Sequence, residues 1–274
     1  MRAIFKNAGY EREISDKGYA VISGLLNASV CDELTAFFAQ HDVVDDRAFT
    51  ISNWNNNTVY RNATFDKITE TLLPLAENLL ENYRPVLAVY TAKRPQANSD
   101  MLLHQDWSLV EETKFRSVSI WVALCDMDEA NGNLQVAPYS HLYAGFPRGM
   151  NVPVPFEEIR QKMHERHLIN VPLKKGDAVV FDHRLIHASP PNKTRQIRLA
   201  AVLALVPFEA PLVHYYKPLD SQDELELLTM DASEFRTIDF FDVGKKPKHT
   251  GSLGKITAAF NQLKEEDVLK PESL

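Results

Sequence analysis

Met101-Leu102-Leu103-His104-Gln105-Asp106-Trp107-Ser108 puts a His-x-Asp step at the end of an apolar run. In an extended strand, residues i and i+2 point to the same face. His104 and Asp106 can therefore offer an imidazole nitrogen and a carboxylate oxygen to one point in space. With a second histidine these ligands make a 2-His-1-carboxylate facial triad, which leaves three positions of an octahedral iron open for a cosubstrate and oxygen. The tripeptide alone is a weak signal, because most such steps are surface polar residues.

The second histidine must come from a distant strand lying beside the first. His187 is the best candidate: it follows the apolar run 178–181 and stands 81 residues after Asp106. His183, four residues earlier, competes with it. Arg198 comes eleven residues after His187 and heads the apolar run 199–206, with Arg195 as its alternative. A fixed guanidinium binds a carboxylate through two parallel hydrogen bonds, which is what a dicarboxylate ligand needs. Ser189 offers a hydroxyl nearby. His141 reads as a structural residue near a turn, and His164, His167, His214 and His249 have no ligand-like company. Trp107 reads equally as pocket wall or core.

The elements that must position these groups follow from periodicity. Tyr19 to Ile22 is a short strand, and Val30, Leu34, Phe37 and Phe38 make a helical stripe behind a capping box at Ser29 and Asp32. Residues 42–65 are rich in Asp and Asn with aromatics between them, the pattern of a long surface loop that could cover a substrate. Asp66 opens a second helix, which Pro74 should kink or split. From Val86 the texture is β: 86–92, 101–104, 117–125, 134–136, 169–173, 178–181 and 197–206 read as strands. Asn131-Gly132 is a hairpin signal, and residues 155–166 suit a short helix. A final amphipathic helix is expected over 256–263. Many short strands after a helical start indicate a mainly β fold, a sandwich or barrel with flanking helices.

The 274 residues are 45% apolar, enough for a substantial core. A net charge of −7 without a basic face argues against nucleic acid as partner. Cys31 and Cys125 make no metal or redox pattern and read as buried free thiols of a reducing compartment. The N-terminus lacks a signal-peptide core, and no apolar run approaches the roughly 20 residues of a membrane span. A cytoplasmic protein without membrane contact is expected, in which the Asn-x-Thr triplets at Asn56 and Asn62 carry no glycan.

Four segments together resemble the phytanoyl-CoA dioxygenase family of iron(II)- and 2-oxoglutarate-dependent oxygenases. They are His104-Gln105-Asp106; residues 131–141, Asn-Gly-Asn-Leu-Gln-Val-Ala-Pro-Tyr-Ser-His; the Gly176-Asp177 strand ending in His187-Ala188-Ser189; and Arg198. The likeness runs from about residue 15 to residue 206, with one departure at Asn133, where the family often has Cys or Pro. It implies a double-stranded β-helix (jelly-roll) core over about 85–207, a helical part over about 1–84 and a wrapping segment over about 208–274, all one oxygenase domain. It further implies iron held by His104, Asp106 and His187, with Arg198 and Ser189 on the far carboxylate of 2-oxoglutarate. Gln105, Trp121 and Tyr90 match positions that line the cosubstrate pocket. The spacing to Arg198 and Ser189 favours His187 over His183 as ligand.

The expected reaction consumes dioxygen and 2-oxoglutarate and hydroxylates an unactivated C–H bond, releasing succinate and carbon dioxide. Related halogenases replace the carboxylate ligand with a small residue, so Asp106 favours hydroxylation. The same intermediate chemistry also allows desaturation or ring closure. Two rival readings are a zinc hydrolase on the same triad and a metal- or metabolite-binding member that does not turn over. The mix of Asn, Arg61, Arg148 and aromatic residues points to a small polar or amphipathic substrate. Nothing in the sequence sets the oligomeric state.

Overall fold

Strands that are apolar at both parities form the two-sided centre of the molecule. The computed structural model describes residues 2–41, 47–242, 244–258, 260 and 262–268. Its strands are β1 (Tyr19–Ile22), β2 (Phe49–Ile51), β3 (Tyr83–Lys93), β4 (Met101–His104), β5 (Val118–Ala123), β6 (Leu134–Val136) and β7 (Gly149–Met150). They continue as β8 (Ile169–Val171), β9 (Ala178–Asp182), β10 (His187–Ser189), β11 (Arg198–Pro207), β12 (Val213–Tyr216), β13 (Glu224–Thr229) and β14 (Gly251–Thr257). The large sheet has the order β1-β9-β5-β11-β3-β2 and faces a smaller one, β4-β10-β6-β8. A third sheet, β14-β13-β12-β7, is built mainly by the C-terminal part.

Side-chain alternation assigns each face of the large sheet. Leu199, Ala201, Leu203 and Leu205 of β11 join Val118, Ile120 and Val122 of β5 in packing on the helices. The helices are α1 (Ala8–Lys17), α2 (Ala28–His41) and α3 (Thr58–Leu79), which bury Ile14, then Cys31, Leu34 and Phe38, then Ile68 and Leu72. Burying one such Leu or Ile contributes about 1.5–3 kcal/mol, and this face holds the largest of the buried apolar clusters. The opposite parity, Ala200 and Val202 with Trp121 and Val89, faces the small sheet. The jelly-roll core expected from the sequence lies between these two sheets. Among the described residues, no helix is long and apolar enough to cross a membrane.

Four local expectations change. The cap of α2 is Asn27, whose Oδ1 accepts from Val30 N and from the Ser29 hydroxyl, so Ser29 serves the cap rather than being it. Helix α3 starts at Thr58, where Asn57 Oδ1 accepts from Val59 and Tyr60 N; it takes up the end of the expected loop, of which residues 42–46 lie outside the described residues. Pro74 sits inside this single helix on its exposed side, where water can satisfy the freed carbonyl. Asn131-Gly132 does not close a hairpin, because β5 and β6 belong to different sheets. Gly132 has φ +82°, and a Cβ there would lie 2.3 Å from the Pro190 carbonyl oxygen, so it serves a close backbone approach instead.

The helix expected over 256–263 does not form among the described residues: Ile256 and Thr257 end strand β14, with Ile256 opposite Leu225 of β13, and 259 and 261 lie outside the described residues. Gly251, Gly254 and β-branched residues at 256 and 257 disfavour a helix, while the open edge of β13 supplies a ladder of hydrogen-bond partners.

Candidate metal and cosubstrate site

His104 closes β4 and His187 opens β10, and the two are direct antiparallel partners. Pairing brings residues 83 positions apart in sequence to ring centroids 4.1 Å apart. Asp106, just beyond β4, turns Oδ1 to 3.8 Å from His187 Nε2. One ligand atom from each of His104, Asp106 and His187 lies within 4.8 Å of the others.

The histidine tautomers suit a cation. His104 Nδ1 lies 2.8 Å from the Leu102 carbonyl oxygen, and His187 Nδ1 lies 3.0 Å from that of Leu185. A carbonyl only accepts, so each Nδ1 carries the proton and each Nε2 presents a lone pair toward Asp106. Burial, then the neighbouring His187, pushes His104 down to about 3, so its ring is neutral in ordinary buffers. Burial alone would raise the Asp106 carboxyl; His183, His187, His104 and the Ser119 hydroxyl outweigh it and hold it below the usual carboxylate range.

His183 is not in this cluster. Its Nε2 lies 3.0 Å from Ser119 Oγ, and that hydroxyl donates to Asp106 Oδ2 at 3.0 Å. His183 therefore stands behind the carboxylate, with Nδ1 3.2 Å from the Trp107 carbonyl oxygen.

Across the cavity, Arg198 opens β11 and is 2% exposed. Its Nη1 donates to Thr91 Oγ1 at 3.3 Å, and its guanidinium lies 5.4 Å from the Trp121 ring centroid. Its Nε has no hydrogen-bond partner, and among the described residues no carboxylate pairs with it. Burial lowers it only to about 10, so it remains a cation at neutral pH. A buried charge without a counter-ion is costly. Here it faces a cavity of about 310 Å³ that also holds the triad, an arrangement that fits an anionic ligand reaching from metal to guanidinium. Arg195, its rival, is exposed.

Ser189, Gln105 and Trp121 border the same cavity, and so does Trp107. Gln105 donates through Nε2 to the carbonyls of Ala144 and Arg184, which fixes the chain between His104 and Asp106. Tyr90 does not belong to the site. Its neighbours Val89 and Thr91 face the cavity, and strand alternation turns Tyr90 the other way, 5.4 Å from the ring of Phe38 in the helical layer. His141 is structural, its Nε2 3.0 Å from the Ser15 carbonyl oxygen. His214 is buried against Trp107, at 4.9 Å between rings.

Several supporting residues gave little sign of themselves in the sequence. Ser119 shares strand parity with Trp121, so alternation alone could have placed it on the cavity. Arg148 and Glu112 form a nearly buried ion pair, and Arg148 Nε donates to the Asp106 carbonyl at 2.8 Å. Lys93 is fully buried, with Nζ donating to the carbonyls of Ser99, Ser189 and Pro190 at 2.7, 2.9 and 2.6 Å. Burial and the charge of Arg198 push Lys93 down to about 6; three carbonyl acceptors work against that, since only the ammonium has three N–H donors. A lysine at the end of a strand ordinarily reads as surface.

Residues 14–200 match the family described as Phytanoyl-CoA dioxygenase (PhyH). The chain belongs to the phytanoyl-CoA dioxygenase family. A phytanoyl-CoA dioxygenase of Arabidopsis thaliana is 30% identical over 128 residues, which cover 45% of this chain and 45% of that relative. The chain thus spans less than half of that relative's length. Phytanoyl-CoA dioxygenase domain-containing protein 1 of Danio rerio is 24% identical over 242 residues, 66% of this chain and 83% of the relative. Among solved structures, the non-heme alpha-ketoglutarate-dependent carbocyclase SnoK of nogalamycin biosynthesis superposes with a TM-score of 0.53 at 17% identity, covering 75% of this chain and 86% of SnoK. HygX from Streptomyces hygroscopicus, solved with nickel, 2-oxoglutarate and hygromycin B, gives 0.55 at 16% identity, covering 78% and 92%. At these identities the likeness establishes the jelly-roll fold of the family.

Proposed function

We propose that this family member is an iron(II)- and 2-oxoglutarate-dependent dioxygenase that hydroxylates an unactivated C–H bond of a small molecule and releases succinate and carbon dioxide. One observation carries the reading: an unpaired, buried Arg198 shares a cavity with a His-Asp-His cluster whose two Nε2 atoms are free to bind metal. Iron(II), when bound, would supply the oxygen chemistry that no side chain here can perform.

The chain's own groups do the rest. His104 and His187 would hold the metal through Nε2, with Asp106 as the anionic ligand. Arg198 would receive the far carboxylate of 2-oxoglutarate through its fork, with the Ser189 hydroxyl beside it and the Trp121 face under the guanidinium. The apolar walls exclude water from the reacting centre. The retained carboxylate at Asp106 favours hydroxylation over halogenation. A zinc hydrolase on the same triad would leave Arg198 without a purpose.

The test is anaerobic titration of the iron(II)-loaded protein with 2-oxoglutarate, following the weak visible band expected at roughly 500 nm for the chelate. The band should saturate in the wild type, weaken in Arg198→Ala and vanish in His187→Ala. No band, with tight zinc binding instead, would overturn the reading.

A further inference from the structure

The cavity has two chemically different ends, and strand register separates them. Arg198 pairs with Lys93 at one end of the β11–β3 ladder, while Ala204 pairs with Leu87 six residues further on, about 20 Å away. On the other side of β11, Ala204 pairs with Ser119, the residue that donates to Asp106. The triad carboxylate therefore sits toward the Ala204 end, and the space beyond it is separate from the guanidinium. Its walls are Leu87, Leu109, Trp107, Phe235 and Phe240. Phe240 stacks on Trp107 at 5.0 Å with an interplanar angle of 18°, so the C-terminal part roofs this end with aromatic faces.

Arginine and lysine are missing from that end among the described residues. Among the described lining residues, Arg198 is the one arginine or lysine, and it lies at the opposite end. Arg61 and Arg148, which in sequence favoured a polar substrate, do not line the cavity. Arg61 donates to the carbonyls of Arg236 and Ile238, and Arg148 pairs with Glu112. A phosphate or carboxylate on the substrate would enter this space without a counter-ion.

We infer that the substrate is an uncharged, largely apolar molecule, bound against Trp107 and Phe240. The inference rests on the oxygenase reading for which cavity end takes the cosubstrate. It predicts that a substrate carboxylate or phosphate placed inside the cavity beside Trp107 and Phe240 is disfavoured.

The test is calorimetric titration of the full-length, metal-loaded protein with 2-oxoglutarate present and dioxygen absent. The probes are 2-naphthol and 1-decanol, their charged counterparts 2-naphthoate and decanoate, and decanoyl-CoA. The neutral probes should bind about tenfold or more tightly than their carboxylate counterparts. Phe240→Ala should weaken the neutral probes roughly three- to tenfold, and a normal 2-oxoglutarate band in the variant reports an intact fold. Preference for a carboxylate or for decanoyl-CoA, or no binding of either neutral probe, overturns the substrate class. Failure of the band in the wild type is a separate result, and it overturns the oxygenase reading itself.

Discussion

Asp106 Oδ2 and His183 Nε2 lie 3.8 Å apart, and the Ser119 hydroxyl stands between them at 3.0 Å from each. Ser119 comes from the large sheet and Asp106 from the end of the small one, so this bridge ties the metal-facing carboxylate to the rigid side of the barrel. Supports of this kind orient a ligand as much as the ligand's own strand does. Ser119→Ala should lower affinity for iron(II) or zinc about 10- to 100-fold with the fold intact. Competition against a metal-chelating dye measures it, and an unchanged affinity would show that Asp106 is held by its backbone alone.

Arg198 is predicted to trade stability for binding. Arg198→Met removes an uncompensated buried cation and should leave the ligand-free protein as stable as the wild type or more so, by up to about 4 kcal/mol. It should also abolish stabilisation by 2-oxoglutarate, which in the wild type reaches about 2.7 kcal/mol at a hundredfold excess over Kd. Thermal melts with and without 2-oxoglutarate read both effects. A variant still stabilised by the ligand would remove Arg198 from the cosubstrate site.

Asp182 links the site to pH. It is 1% exposed and accepts from Arg184 Nη2 at 2.7 Å and Arg116 Nε at 3.0 Å, within the turn that carries β9 to His183 and His187. Burial alone would raise its carboxyl, but the Arg184 hydrogen bonds and the charges of both arginines hold it well below the usual range. A carboxyl depressed on folding adds stability above its unfolded value of about 3.9, and that stability is lost as pH falls toward the folded value. Asp182→Asn should cost about 3–5 kcal/mol near pH 7, because two arginines lose their partner. The gap in Tm between variant and wild type should narrow in acid; a gap independent of pH would contradict the linkage.

Lys93→Met should strip three buried carbonyls of their donor, at about 1–3 kcal/mol for each group left unsatisfied. Two of those carbonyls belong to Ser189 and Pro190, so the 2-oxoglutarate affinity should fall together with the Tm. Loss of stability without any change in affinity would confine Lys93 to a structural part.

The elements legible in the sequence were those whose pattern is local. Alternation marked β5 and the apolar runs marked β9 and β11, because burial on both faces leaves no polar parity. Helix α2 was visible in its stripe. Boundaries set by caps were less so: Asn57 begins α3 inside a stretch whose composition reads as loop. Pro74 misled because its tolerance depends on which side of the helix meets water. Residues 256–257 misled because they belong to β14, which exists through the edge of β13, a partner with no trace in their own sequence.

Within the site, residue type and spacing brought out His104 and Asp106 and left His187 beside His183 and Arg198 beside Arg195; the resemblance to the family favoured His187, Arg198 and Ser189. Strand parity, already present in the sequence, also separates Trp121 from Tyr90 once the direction of the cavity is known, and that direction is a tertiary fact. The tautomers of the two histidines depend on carbonyls two residues back and therefore on local strand geometry. The bridge through Ser119, the Lys93 anchor, the Arg148–Glu112 pair and the aromatic roof of Phe235 and Phe240 join residues 13 to 133 positions apart. Such contacts carry no periodic signature, because each is made by sheets folding onto one another and by the C-terminal part closing over them. The chemistry available to this chain was thus written in its residue types; which space that chemistry faces, and how apolar that space is, was decided by packing.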